Sequence, residues 1–303
     1  VTLAQRAPSR TVGNRDSVGY RVFTVVNTGL LILVCLAMLY PFITVLAQSF
    51  SSSGAIKAGQ VSFWPVDFNV DTYTAVIGNG MFWRNYGNTV LYTVVGTAIA
   101  MALTTSYAYV LSKHHLRGRR LLIGIAVFTM FFNGGLVPNY VLISSLGMKN
   151  TMWAIVLPGA ISVFNLLVMK SFFENLPHEL EEAAQIDGLG WFGIFTRIVL
   201  PLSKAVIATM ILFYSVAFWN DWFSAFLYLD KNELFPVTLF LRNLIAGAST
   251  TASESAAVGS TAADLNANIQ SVTMILTVIP ILCVYPFVQR YFVSGVMLGS
   301  VKG

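Results

Sequence analysis

Three glycines have the most suggestive spacing in the chain. Gly188, Gly190 and Gly193 spell G-x-G-x-x-G within EEAAQIDGLGWFGIFTRIVLP, residues 181–201. In a dinucleotide-binding turn such glycines let the backbone approach a pyrophosphate. That chemistry also needs a preceding strand, a following helix and an acidic ribose ligand about 20 residues on. The sequence offers neither the strand nor the acid. Pro177 suits the first turn of a helix, and Glu179, Glu181 and Glu182 suit the positive end of its dipole. Leu176, Leu180, Ala183 and Ala184 recur at helical spacing, and Gly188 falls where a C-cap places glycine. No acid stands near position 208. The stretch reads as a short amphipathic helix, a glycine turn, a second short helix over Trp191–Val199, and then Leu200-Pro201 leading into an apolar run. Other chemistry is scarce. His114, His115 and His178 lack H-x-x-x-H spacing, and no paired acids or Ser/His/Asp set accompany them. Cys35 and Cys283 lie in apolar stretches and read as small buried hydrophobes, outside any disulfide framework or C-x-x-C metal spacing. No catalytic, cofactor-binding or metal-binding residue is expected.

The elements that carry these residues follow from composition. Of 303 residues, 56% are hydrophobic and only 10% charged, against roughly 25% charged in a soluble domain. Such a balance points to an integral membrane protein. Six stretches reach the length of about 20 residues needed to cross hydrocarbon. They run over about Val22–Ala47, Asn88–Leu111, Leu121–Ile143, Met152–Phe173, Ala205–Leu229 and Ile269–Tyr291. No β-barrel alternation is present, so the fold expected is an all-α polytopic one with six transmembrane helices.

Lys and Arg set the orientation. With the N-terminus inside, 13 of the 18 basic residues fall in cytoplasmic segments, and five, Lys57, Arg84, Lys149, Lys231 and Arg242, fall in the longer outer loops. Both termini are therefore expected in the cytoplasm. The run from Lys113 to Arg120 then reads as a short positive loop and not as a nucleic-acid site. The domain plan is a cytoplasmic segment 1–21 followed by a transmembrane domain 22–303. Its outer loops are 48–87 and 230–268, and a cytoplasmic loop 175–203 carries the three glycines. Asn133-Gly134-Gly135 with Pro138 interrupts the third span, and loop 246–263 is of low complexity. Three carboxylates beside an anionic inner leaflet disfavour a lipid-lying helix at 177–187, which favours a protein partner there.

At this point a family resemblance becomes specific. Glu182-Ala183-Ala184, Gly188 after three residues, nine residues, Ile198, one residue and Leu200-Pro201 together resemble the EAA loop of ABC importer permeases. LPGAISVFNLLVMKSFFENLPHELEEAA, FWNDWFSAFLYL and the terminal QRYFVSGVMLGSVKG resemble the carbohydrate-uptake, maltose-type branch. FFNGGLVPNYVLISSLGMKNT resembles the branch that imports oligosaccharides derived from polysaccharides, alginate-like oligouronates among them. The likeness runs from the first apolar stretch to Gly303.

The resemblance implies the type I importer fold in the bacterial cytoplasmic (inner) membrane, as a multi-pass chain. It implies a homologous second permease, two ABC ATPase subunits, an extracytoplasmic saccharide-binding protein, a saccharide substrate and surrounding lipid, with no nucleic acid. Monosaccharides or glycerol derivatives are the alternative substrates. ATP and Mg would be bound by the partner ATPases, since no G-x-x-x-x-G-K-[ST] occurs in these residues. Carried over residue by residue, Glu182 would contact the ATPase, Ala183 and Ala184 would pack closely against it, Gly188 would make the turn, and Leu200 and Pro201 would complete the motif. The family's saccharide path runs between the fourth and fifth spans. Phe164 and Asn165 on the fourth, and Phe218, Trp219, Asn220 and Asp221 on the fifth, offer the apolar faces, amides and carboxylate that sugars require. An interfacial aromatic belt is the plainer reading of the tryptophans. A membrane enzyme would need a catalytic set, and an ion-driven carrier several intramembrane acids; Asp221 is the only acid well within an expected span.

Overall fold

The structure is a computed structural model that describes residues 18–132, 134–244, 246 and 268–283. The expected segment 1–21 up to residue 17, Asn133, nearly all of loop 246–263, the expected sixth span beyond 283 and the tail to Gly303 lie outside the described residues. Among those described, every regular element is helical.

Helix α1 (Val18–Ser49) is 32 residues long and apolar on all sides. Only 6% of its most apolar window is buried, so it faces its surroundings rather than a core. The short helices α2 (Ser53–Lys57) and α3 (Asp71–Ile77) occupy the following loop, and Asn79 accepts from Met81 N–H at 2.9 Å to cap α4 (Gly80–Ser112). Half of the most apolar window of α4 is buried. Its inward face is a ladder of small and hydroxyl side chains, with Thr93, Gly96, Thr97, Ala100, Thr104 and Ala108 all buried. Small residues let neighbouring backbones come close where lipid supplies no hydrophobic drive. Helices α8 (Val163–Glu174) and α12 (Lys204–Trp219) pack on this ladder and form the main core with it.

The other expected spans are not single rods. Helices α5 (Arg119–Phe131) and α6 (Leu136–Ser145) meet at 113°, with Gly135 at φ +93 between them. Over 152–173 the chain forms α7 (Trp153–Val156), an irregular passage at Leu157–Ser162, and α8. Pro158 explains the interruption, because proline has no N–H to donate and its ring clashes with the preceding turn. Over 205–229 the helix stops at Trp219, and α13 (Phe223–Tyr228) begins after Asp221. Helix α14 (Asn268–Cys283) packs Val272 against Phe82 and Val237. Cys35 and Cys283 are free and exposed, not buried, because among the described residues no other helix covers either one.

Outside the apolar helices, the loops before α7 and after α13 are clasped together. Lys149 Nζ lies 2.8 Å from the Tyr140 hydroxyl and 3.4 Å from Asp230 Oδ2. The Asn150 amide donates to Asp230 at 3.1 Å, and the Asp230 backbone N–H returns a bond at 2.6 Å. The Asn150 bond, with Lys149 behind it, holds the Asp230 carboxyl below its ordinary range, and the Tyr140 bond, with Asp230 behind it, holds the Lys149 ammonium above its own. A lowered carboxyl contributes stability that is present above its unfolded pKa and lost as pH falls through the folded one. A raised ammonium contributes stability that is lost as pH rises through its folded pKa. The clasp is therefore strongest across neutral pH. Hydrogen exchange should show faster backbone opening at 147–151 and 228–231 in Asp230→Asn at pH 7. Acidification below the ordinary carboxylate range, about 4, should produce the same opening in the unaltered chain. Equal protection in the variant and the unaltered chain would exclude the clasp.

Candidate functional site

Two regions assemble the residues that sequence singled out. The first is helix α9 (His178–Ile186), the helix before the three glycines. Pro177 stands at its N-cap, and Glu179 and Glu181 fall in its first turn. The helix ends in a Schellman turn: Gly188 N–H bonds Gln185 O at 3.0 Å, Leu189 N–H bonds Ala184 O at 2.9 Å, and Gly188 takes φ +82. A helix precedes the G-x-G-x-x-G spacing, so these glycines form no dinucleotide turn. Beyond them, α10 (Trp191–Ile194) passes through a π turn at Phe195–Val199 into α11 (Leu200–Leu202). The stretch Trp191–Leu202 then meets α12 at 83° across Ser203.

The faces of α9 are sharply sorted. Glu182, Ala183 and Gly188 are exposed, whereas Ala184 is buried in the chain's own main core. Ala184 is thus already packed, and the low profile open to another surface belongs to Ala183. Ile186, three residues on, is a large apolar side chain left 87% exposed among the described residues. Sequence spacing did not single out Ile186, although its place one turn after Glu182 and Ala183 was the available signal. Leu200 is partly buried, and Pro201 is exposed at the bend. Behind the helix, Arg119 bonds Glu174, and Lys170 reaches the same carboxylate at 2.8 Å, tying the start of α5 to the end of α8.

The second region is a cavity of about 970 Å³. Val90, Thr93 and Val94 of α4 form one side, Gly159, Ser162 and Asn165 another, and the run Leu212–Trp219 with Asp221 a third. The cavity therefore lies beside the two helix interruptions. Of the expected path residues, Asn165, Phe218, Trp219 and Asp221 line it, and Phe164 and Asn220 do not. Phe164 is exposed on the other side of α8, and the Asn220 amide bonds back to Val216 O at 2.9 Å as α12 ends. Asp221 Oδ1 also accepts from Ser224 N–H at 3.0 Å, so the carboxylate starts α13 as well as lining the cavity. The Trp219 indole N–H and the Thr93 hydroxyl are buried without a partner among the described residues. Thr93, Ser162 and Tyr214 were not legible as lining because only the fold brings their helices together. In chemical terms the site offers apolar and aromatic walls with a few hydroxyl, amide and carboxylate groups, a lining suited to a neutral ring bearing hydroxyls.

Known proteins resemble this chain in sequence and in overall fold. Residues 80–297 match the family described as binding-protein-dependent transport system inner membrane component. Over 283 residues the chain is 41% identical to Protein LplC of Bacillus subtilis (strain 168), covering 93% of this chain and 96% of that protein. It is 38% identical over 283 residues to the polygalacturonan/rhamnogalacturonan transport system permease protein YtcP of the same organism, covering 93% and 99%. Among solved structures, a bacterial ABC transporter involved in the import of the acidic polysaccharide alginate has a chain that matches with a TM-score of 0.83 at 33% identity. The match covers 91% of this chain and 98% of that one.

Phe218 sets the width of the cavity wall through two glycines. A Cβ on Gly96 would stand 2.9 Å from its ring, and one on Gly159 would stand 3.3 Å away. Gly96→Ala should therefore overpack the crossing of α4 and α12 and destabilise the chain by about 1–3 kcal/mol. A thermal shift in detergent measures this, with Gly87→Ala as control because a Cβ there meets nothing within 4 Å. Phe218→Leu should relieve the Gly96→Ala defect. Equal melting of the two glycine variants would refute the contact.

Proposed function

The chain belongs to the family of binding-protein-dependent transport system inner membrane components, and from that membership we propose how it works within an ABC importer of oligosaccharides or polysaccharides. It forms part of the passage and has no catalytic role of its own. ATP with Mg is held by two partner ATPase subunits. A second, homologous permease completes the passage, and an extracytoplasmic saccharide-binding protein delivers the substrate. Fragments of polysaccharides are the favoured class, because two of the relatives above handle polygalacturonan or alginate.

The observation that carries the coupling role is the sorting of α9, which buries Glu181 and Ala184 and offers Glu182, Ala183 and Ile186 outward. An exposed apolar residue beside a small residue and a carboxylate suits a protein groove better than water or an anionic lipid surface. The helix would seat there in the ATPase, with Gly188 shaping the turn and Leu200-Pro201 the exit into α12. In the membrane we place α1 and α4 as single spans, and the segments 119–145, 152–174 and 204–228 as interrupted ones. The segment beginning with α14 makes a sixth, and both termini lie in the cytoplasm. The saccharide path runs through the cavity, with Trp219 and Phe218 facing sugar C–H surfaces and Asn165, Thr93 and Asp221 meeting hydroxyls.

Reconstitution with all partners tests the class of transport. Uptake of labelled oligosaccharide should stop when the ATPase is inactivated and persist when the proton gradient is collapsed; the reverse pattern would sink the importer reading. Glu182→Lys should lower recovery of the ATPase on co-purification at least tenfold while leaving the membrane chain's melting unchanged. Full ATPase binding and transport in that variant would refute the coupling role. For the path, Asn165→Ala should raise the apparent KM for transport several-fold, whereas Asn220→Ala should stay within twofold of the unaltered protein. Identical behaviour of the two variants would remove the cavity from the path.

A further inference from the structure

The adjacent carboxylates Glu181 and Glu182 have different surroundings. Glu182 is exposed, whereas Glu181 is only 9% exposed. Both Glu181 carboxylate oxygens accept from Lys113 Nζ at 2.5 Å. The lysine side chain keeps 13% of its exposure and the glutamate 12%. Lys113 is the C-cap residue of α4, and its ammonium stands 4.3 Å from the centroid of the Tyr109 ring one turn earlier. That ring stacks on Phe195 at 4.9 Å and meets Phe173 edge-on at 6.4 Å. The lysine thus sits at the negative end of one helix dipole and the glutamate in the first turn of another, at its positive end. An exposed ion pair yields easily, but this one is shielded and two-pronged, and parting it would strand a charge on each side.

Two routes lead from α9 to the cavity. The covalent one runs through the Gly188 turn, the π turn at Phe195–Val199 and the 83° bend at Ser203, each a break in regular α-helix. The other crosses from Glu181 to Lys113 and continues along α4 as one unbroken helix to Val94, Thr93 and Val90 at the cavity wall. Twenty residues separate Lys113 from Thr93, a rigid lever of about 30 Å at 1.5 Å per residue. We propose that the Lys113–Glu181 pair is the joint through which movement of α9 reaches the cavity, so that both are positioning residues for transport. This rests on the reading of α9 as the ATPase-docking helix. The pair would then hold throughout the cycle, and α9 and α4 would move as one body.

The complete transporter, with both permeases, the ATPases and the binding protein in proteoliposomes, tests this. In Lys113→Met and in Glu181→Gln, ATPase subunits should remain bound at normal stoichiometry while saccharide transported per ATP hydrolysed falls at least fivefold. The double variant should be no worse than either single, and Lys113→Arg should stay within twofold of the unaltered protein. An unchanged ratio in the singles, or losses that multiply in the double, overturns the joint. Should the singles fail to assemble, a bridged pair decides. Lys113→Cys with Glu181→Cys, in a Cys35→Ser, Cys283→Ser background, can be linked by a short reductant-cleavable thiol reagent. Linking should raise saccharide transported per ATP hydrolysed and reductant should lower it again; transport that is unchanged or stops on linking overturns the joint. Retention of the ATPase by Glu182→Lys would instead remove the docking reading itself, whatever the Lys113 variants do.

Discussion

Hydrocarbon offers no partner to a bare peptide group, so a chain that crosses it can interrupt a helix only where the protein itself supplies one. Here one hydroxyl does much of that work. Tyr214 accepts from the backbone N–H of Ser162 at 2.9 Å and shares a 2.7 Å hydrogen bond with Thr104. It thereby ties the irregular passage before α8 to α4 and α12 at once. Ser162 can then cap α8 through Asn165 N–H at 3.4 Å, and Gly159 can lie against Phe218. The cavity exists because this interruption is satisfied from within. Its polar groups are those that surround the interruption.

How much of this could be read beforehand depended on the range of the physics involved. Helix α9 and its stop were legible because caps and dipole preferences act within a few residues, as Pro177 and Gly188 show. Helices α1 and α4 were legible because length and hydropathy define a span. The gap after Val156 was less so, because Pro158-Gly159 sits within an apolar run that averages to a continuous span, although the breaker pair itself was in view. Asn165 and Asn220 looked equivalent in composition, and only the end of α12 turned the second amide back onto its own backbone. Ala183 and Ala184 looked like a matched pair, but a 100° step per residue around a helix puts one outside and the other in the core. The bond between Lys113 and Glu181 spans 68 positions, and no local rule relates them.

The two regions also differ in the kind of chemistry they use. At the end that carries α9, charge is spent on rigidity: Arg119, Lys170 and Glu174 brace α5 against α8, and Lys113 with Glu181 braces α4 against α9. The exposed face of α9 is therefore presented from a stiff base. Around the cavity, charge is reduced to Asp221 among the lining residues, and the wall is mainly aliphatic and aromatic. A stiff grip and a smooth passage are different mechanical demands. The chain meets them with different residue types on the same helix, α4.

The ring of Phe218 has a mechanical consequence. Helices usually interlock by ridges, so sliding one past another means lifting side-chain knobs out of holes. At the crossing of α4 and α12 the ring meets Gly96 on one side and Gly159 on another, and neither has a side chain to climb over. The contact behaves as a plain bearing. It puts little friction in the way of a small rotation or glide.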